Sequence, residues 1–453
     1  MNSKNLTKKV MNIATAMLCT GLLLFASCRE EEKDSSKAHD PSQPVVLTSF
    51  KPDSGRILEM VLLDGENFGT DTSNIRVYFN SKRAVTLSST GTRILALVPR
   101  LPGDTCVVRV EVGSKQATYP DFFRYRIEAS VTNFTGNGNN DLVIGPTPRE
   151  SQFGVVYLGI DKDDNIYATA DNEGGILIKL NEKDNSVMVI ARASDGISPR
   201  FQLSSHPETG VIMMGAEGGG NRNNFLFCDP MEGWTPKRRF IKDWITNDFP
   251  LPENNNSGGE RNYETHYHCL YCKTDSFYYT RYTQGQLVRI NPKTWIAEVV
   301  YMTPQGVAYG MVFHPKRPSE LWIAYTEGDG GHAIYTLDIT DPEATFTKVG
   351  GESYSGFRDG KLSDALFYDM RQIDFDFDGN LFIGDGGNQC IRKIDTETMI
   401  VETVIGIPGV SGSKNGKKEE ATFFHPHGLV TNSEGIIFVG DHHNNSIRRI
   451  AIE

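Results

Sequence analysis

Residues 378–394 read DGNLFIGDGGNQCIRKI, and residues 434–450 read EGIIFVGDHHNNSIRRI. The two stretches align without a gap at an offset of 56, with eight identities in 17 positions. The identities are Gly379/Gly435, Phe382/Phe438, Gly384/Gly440, Asp385/Asp441, Asn388/Asn444, Ile391/Ile447, Arg392/Arg448 and Ile394/Ile450. The same register extends upstream to Ala365/Ala421 and Phe367/Phe423. Matching this dense is internal repetition, and a period of this length is that of an array of small β-sheets. More divergent copies precede it: 163–180 opening on Asp163-Asp164-Asn165, 206–212 opening on His206-Pro207, 275–290, and 314–323 opening on His314-Pro315. Six copies give a six-bladed β-propeller over residues 127–453.

The repeat resembles the NHL repeat, a four-stranded propeller blade. The N-H-x-I signature of that family is altered here to Asn388-Gln389-Cys390-Ile391 and Asn444-Asn445-Ser446-Ile447. The last copy stops at its third strand. The segment SVTNFTG at 130–136 is similar to the strand ETVIG at 402–406, so an N-terminal strand is expected to complete the last blade and remove a free edge.

Upstream, residues 44–126 carry short β-branched and aromatic runs about ten residues apart, with Gly, Pro, Asn and Asp between them. That spacing predicts a β-sandwich. The order S-F-x-P-x-x-G, G-x-N-F-G, V-x-F-N, V-P and a closing F-x-Y resembles the IPT/TIG family of immunoglobulin-like domains. The fold class expected is therefore all-β: an immunoglobulin-like sandwich followed by a propeller. In surface glycan-binding proteins such sandwiches act as spacers.

The N-terminus reads as a targeting segment. Lys4, Lys8 and Lys9 precede an apolar run over 13–25, too short to span a bilayer. Leu24-Phe25-Ala26-Ser27-Cys28 resembles a bacterial lipobox, which implies a signal peptide over 1–27 and a lipid on Cys28. The acidic cluster Glu30-Glu31-Glu32 opens a tether over 28–43 and looks like a surface-export signal of Gram-negative lipoproteins. The expected location is the cell surface, anchored in the outer membrane.

The 453 residues carry 46 basic and 57 acidic side chains, a net charge of −11. An acidic chain repels phosphate backbones, so no nucleic-acid partner is expected. Five cysteines lie beyond Cys28: Cys106, Cys228, Cys269, Cys272 and Cys390. Their odd number and irregular spacing give no disulfide framework. Cys269 and Cys272 lie three apart on a strand, on opposite faces, and are read as buried apolar residues.

Candidate ligand contacts gather at one propeller mouth. The starts of the innermost strands carry Arg371 and His427, with His268 and Tyr309 as equivalents. Loops between second and third strands carry Asp171 with Glu173, Glu217 with Arg222, Arg281 with Tyr282, Glu327 with His332, and Asp441 with His442 and His443. Such a mixture of charged, imidazole and phenol groups suits sugars, which offer dense hydroxyls and apolar faces. Asp385 and Asp441 recur at one repeat position and are read as turn holders. An insertion over 241–267 adds Trp244, Tyr263 and Tyr267 beside Trp234 as stacking platforms, whereas Trp295 and Trp322 read as core. The His425-x-His427, His442-His443 and His266-x-His268 groups raise the alternative of a zinc lyase or hydrolase, or of Ca²⁺ or Zn²⁺ on the axis. No catalytic residue and no cofactor is assigned. The leading expectation is a lipoprotein that captures extracellular glycan for an outer-membrane uptake system; adhesion or protein scaffolding is the third reading.

Two substitutions test the anchor. Cys28→Ala should move the protein from the membrane to the soluble fraction. Replacing Glu30, Glu31 and Glu32 by Ala should leave it membrane-bound but hidden from protease on intact cells; continued cleavage there would sink the export-signal reading.

Overall fold

The computed structural model describes residues 38–452 except 101–104, 127, 199–201, 216–223 and 253–267. Cys28, the acidic cluster, Glu217, Arg222, Tyr263, His266 and Tyr267 lie outside the described residues. The chain divides into two compact units after Arg126.

In the first unit two sheets face each other. One orders Val46–Lys51, Met60–Gly69, Gly91–Leu97 and Val85–Ser89; the other orders Ser54–Gly55, Lys115–Tyr125, Thr105–Val112, Ile75–Phe79 and Lys82–Arg83. Alternation along each strand drives Leu63, Val77, Phe79, Ile94, Val108, Val110 and Phe123 out of water. Phe79 and Phe123 meet edge to face at 4.9 Å. The G-x-N-F-G motif has a mechanical role. Asn67 takes a left-handed φ of 63° and donates from Nδ2 to the carbonyls of Asp40, Gln43 and Pro44, stitching the incoming chain to the sandwich. Phe68 fills the core beside it.

The second unit is a ring of six blades, each built on four antiparallel strands and three of them carrying a short fifth strand. Their innermost strands are Val155–Ile160, Leu203–Ser205, Leu270–Tyr271, Gly310–Phe313, Met370–Phe375 and Pro426–Thr431. Neighbouring innermost strands pack around the axis, and Pro426–Thr431 of the last blade lies against Val155–Ile160 of the first. Each blade buries Ile, Leu, Val and Phe against the next; Trp295 and Trp322 are in these cores. Part of the expected insertion is sheet: Asp243–Ile245 pairs in parallel with Ile296–Met302 as a fifth strand of blade three.

The ring closes as the sequence anticipated. Ala129–Thr135 pairs antiparallel with Ser446–Ile452, setting Val131 opposite Ile450. Phe134 from that strand packs edge to face on Phe438 at 5.1 Å. A propeller blade missing its outer strand would present a free edge and an uncovered apolar face. Phe134→Ala should therefore cost about 3–5 kcal/mol in urea unfolding of the intact chain; a loss under about 1 kcal/mol would show that closure does not depend on this strand.

Candidate functional site

A buried ionic node recurs in blades five and six. Asp385 accepts from the Tyr368 backbone N at 2.9 Å, from Asn388 Nδ2 at 2.8 Å and from Arg392 Nη1 at 2.8 Å. Asp441 accepts from Phe424 N at 2.7 Å, Asn444 Nδ2 at 2.8 Å and Arg448 Nη1 at 2.8 Å. All four charged side chains are fully buried. Burial pushes both carboxyls up to about 6, against the opposing pull of their arginines. Arg392 and Arg448 also donate to the carbonyls of Leu366 and Arg358, and of Thr422 and Lys414. The aspartates thus hold the chain where it turns into the innermost strand, and are not open to a ligand.

Backbone geometry aims the residues just beyond each node. Asp369 and His425 take left-handed φ angles of 53° and 60°. The chain then enters a bulge, because pairing skips between Met370 and Ile373, between Pro426 and Leu429, and equally between Val155 and Leu158. A bulge redirects side chains away from strict alternation. The residues it releases are Arg371 with Gln372, His427 with Gly428, and Val156 with Tyr157. Gln372 crosses to hydrogen-bond Leu158 N at 3.1 Å and Leu158 O at 2.6 Å. Gly428, its equivalent, leaves that space open, since a Cβ there would lie 2.8 Å from Leu158 N.

The groups so aimed converge. Arg371 Nη2 donates to Asp369 Oδ2 at 2.9 Å, and its guanidinium lies 4.4 Å from the Tyr309 ring centre. His425 Nε2 meets the same Asp369 oxygen at 2.6 Å, and His425 Nδ1 meets His427 Nε2 at 2.8 Å. His427 stacks between Tyr157 at 6.0 Å and His442 at 4.2 Å, and His443 stacks on His425 at 4.9 Å. His442 Nδ1 lies 2.8 Å from the Val155 carbonyl, to which it donates. Among the described residues, His427 Nδ1 and Arg371 Nε have no hydrogen-bond partner.

Burial, then Arg371 and the neighbouring imidazoles, hold His427 well below the usual histidine range. Burial likewise lowers His442 and His443. Burial raises Asp369, but the His425 bond and Arg371 outweigh it, and the carboxyl stays low and ionised. The mouth is therefore one answered ion pair among phenol rings and the imidazoles of His427, His442 and His443, whose charging burial disfavours.

The sequence-derived candidates separate here. Arg371, His427, Tyr309 and His442 meet. His332 is half-buried near them, edge to face with Tyr368 at 5.9 Å, and Glu327 is exposed. Arg281 is a correction; His268 and Tyr282 are buried, as His427 is. Arg281 points its fork at Thr303 Oγ1, the Gly306 carbonyl and the Pro304 carbonyl, and covers Tyr325, so it ties blades rather than lining a mouth. Trp234 is a further correction: it is partly buried on Tyr167 at 5.4 Å beneath Lys179, not a free platform. Asp369, Tyr157, Tyr368 and Phe424 were missed. Extending the 56-residue register two positions upstream of Arg371 would have paired Asp369 with His425. Cys106, Cys228, Cys269, Cys272 and Cys390 are all buried and free. Among the described residues, no group of three or more His, Cys, Asp or Glu side chains is placed to hold a metal ion. His425 and His427 face each other instead of a shared point.

The molecule is thus an all-β protein pairing an immunoglobulin-like sandwich with a six-bladed propeller whose mouth is lined by imidazoles. Residues 44–125 match the IPT/TIG domain family. Over 104 residues, 22% of this chain and 14% of the relative, it is 34% identical to NHL repeat-containing protein 2 of Gallus gallus. Over 154 residues, 33% of this chain and again 14% of the relative, it is 28% identical to Protein SUPPRESSOR OF QUENCHING 1, chloroplastic, of Arabidopsis thaliana. The matches span about a seventh of each curated relative's length. Among solved structures, a Bacteroides thetaiotaomicron protein of unknown function is similar with a TM-score of 0.63 and 20% identity, over 92% of this chain and 100% of that one. An auxiliary nutrient binding protein of the same organism gives 0.57 and 22%, over 92% and 99%. One from Bacteroides ovatus gives 0.58 and 20%, over 92% and 100%. At these identities the likeness shows the fold.

Asp441→Ala strands the buried Arg448 guanidinium and should cost about 3–5 kcal/mol in denaturant unfolding; Asp385→Ala should cost less, because Asp359 still pairs with Arg392 at 2.7 Å. His268 supplies a pH test. Burial holds its imidazole neutral, down to about 3. The unfolded chain takes up a proton below about pH 6.5 that the folded chain refuses. The contribution is intact above pH 6.5 and is lost as pH falls, at about 1.4 kcal/mol per pH unit for this group. His268→Leu should flatten the fall in stability between pH 6.5 and 5; an unchanged slope would show that this imidazole is protonated in the fold.

Proposed function

We propose that this protein captures extracellular glycan at the propeller mouth, held away from an outer-membrane anchor by the IPT/TIG domain, and passes it to uptake machinery. The observation that carries the reading is the convergence of Arg371, Asp369, His425, His427, His442 and Tyr309 at one end of the axis. Sugars need donors, acceptors and ring faces within a few ångströms of each other. The arrangement offers a guanidinium, neutral imidazoles and phenols, with Arg371 Nε and His427 Nδ1 still unpartnered. A buried polar atom without a partner costs about 1–3 kcal/mol, which a bound hydroxyl or bridging water recovers. The nutrient-binding character of the similar Bacteroides proteins supports the same reading. Among the described residues no helix is long and apolar enough to cross a membrane. The proposed anchor is a lipid on Cys28 of the lipobox-like segment 24–28. The binding role calls for no cofactor.

A second reading is a lyase or hydrolase in the funnel. It is favoured by the hydrogen-bonded series Asp369–His425–His427, which orients an imidazole as a base would need.

A glycan array followed by calorimetry separates the two. The protein should bind at least one polysaccharide without releasing new reducing or unsaturated ends. Arg371→Ala should weaken that binding about tenfold or more, equivalent to about 1.4 kcal/mol. Turnover of any polysaccharide at stoichiometric zinc would replace binding by catalysis as the function.

A further inference from the structure

Two exposed aromatic rings stand at equivalent positions on the rim of this mouth. Tyr368 and Phe424 are separated by the 56-residue repeat, and their side chains are 46% and 40% exposed. Each backbone N–H is clamped by the buried aspartate of its node. Each ring is braced edge-on by an imidazole: Tyr368 by His332 at 88°, and Phe424 by His443 at 82° and 4.7 Å. Each immediately precedes a residue of the polar cluster, Asp369 or His425. An apolar ring this exposed costs hydration in the free protein. The clamps and braces keep it from folding inward, so its position is built, not accidental.

The charges beside the rim decide what fits. Arg371 is the cation acting on these imidazoles, and Asp369 already answers it at 2.9 Å. The imidazoles also act on one another, and the carboxylates acting on them are Asp171 on His442 and Asp369 with Glu327 on His332. Among the described residues, an acidic ligand would meet a guanidinium already answered by Asp369 and two further carboxylates.

Hydrogen-bond polarity gives the rest. An ionised carboxylate only accepts, so His425 carries its hydrogen on Nε2, towards Asp369. His425 Nδ1 and His427 Nε2 share the next hydrogen bond at 2.8 Å. His427 Nδ1 is then the ring nitrogen left without a partner. His442 donates from Nδ1 to Val155 O, and its Nε2 is a lone pair. Two neighbouring imidazoles thus turn open ring nitrogens to the mouth, which hydroxyls, able to donate and to accept, can answer.

We propose that Tyr368 and Phe424 are the stacking rim of a site for an uncharged, hydroxyl-rich polysaccharide, with rings on the two aromatics and hydroxyls directed at His427 and His442. This rests on the glycan-binding reading and adds the ligand's class and the residues that select it.

The test is calorimetry of the full chain with neutral polysaccharides (a mannan, a xylan, a β-glucan, an arabinan and amylose) and acidic ones (a polygalacturonan, an alginate and a sulfated galactan). At least one neutral polymer should bind and the acidic ones should not. Tyr368→Ala and Phe424→Ala should each weaken binding about tenfold with melting unchanged, and Tyr368→Phe should restore it. Wild-type affinity in both alanine variants, with binding lost in Arg371→Ala, would overturn the rim while leaving the funnel reading intact. Binding of acidic polymers alone, strengthening as pH falls, would overturn the ligand class. Failure of every polymer to bind the wild type would overturn both readings.

Discussion

The buried pair between aspartate and arginine at the base of each late blade is the interaction on which the mouth depends. Taking two charges out of water is expensive, and only full hydrogen bonding makes such a pair tolerable. Asp385 and Asp441 meet that condition by accepting from an arginine, an asparagine and a backbone N–H each. The backbone bond does the positioning. It locks Tyr368 and Phe424, and the next residues then enter left-handed backbone at Asp369 and His425. The bulge after them turns Arg371 and His427 towards the axis. Stability and ligand geometry are therefore two consequences of one node, read out at different distances from it.

Electrostatically the mouth is quiet. Histidines crowd each other, and the cheapest way for buried imidazoles to coexist beside a guanidinium is to stay neutral. Asp369 completes this by answering Arg371 and orienting His425 at once. A funnel of the same residues without Asp369 would be cationic and suited to anions. The one carboxylate changes the chemistry that the site offers.

The axis also explains why blades one, five and six carry the cluster. Their innermost strands share the bulge, and Gln372 ties blade five directly to the Leu158 backbone of blade one across the space that Gly428 leaves open. Blades two to four lack that combination. Blade four adds Tyr309 beside Arg371, whereas in blade three His268 and Tyr282 turn inward to core and Arg281 turns to bonding between blades.

The sequence by itself determined the repeat, the number of blades, the sandwich and the closing strand. Each of these rests on periodic apolar positions and turn residues, which act locally and leave a direct trace in residue order. It also marked Asp385 and Asp441 as structural, because a functional residue has no reason to recur in register. Only the tertiary structure decided which polar residues meet. Asp369 and His425 are 56 residues apart and join through one carboxylate oxygen; Tyr157 reaches His427 across the ring seam. The direction of a side chain beside a bulge depends on strand pairing and on the packing of the neighbouring blade, and neither is written in the spacing of the residues. For the same reason Trp234, aromatic and flanked by polar residues, reads as a platform but packs on Tyr167, while Tyr368 and Phe424, inconspicuous in the sequence, stand at the rim.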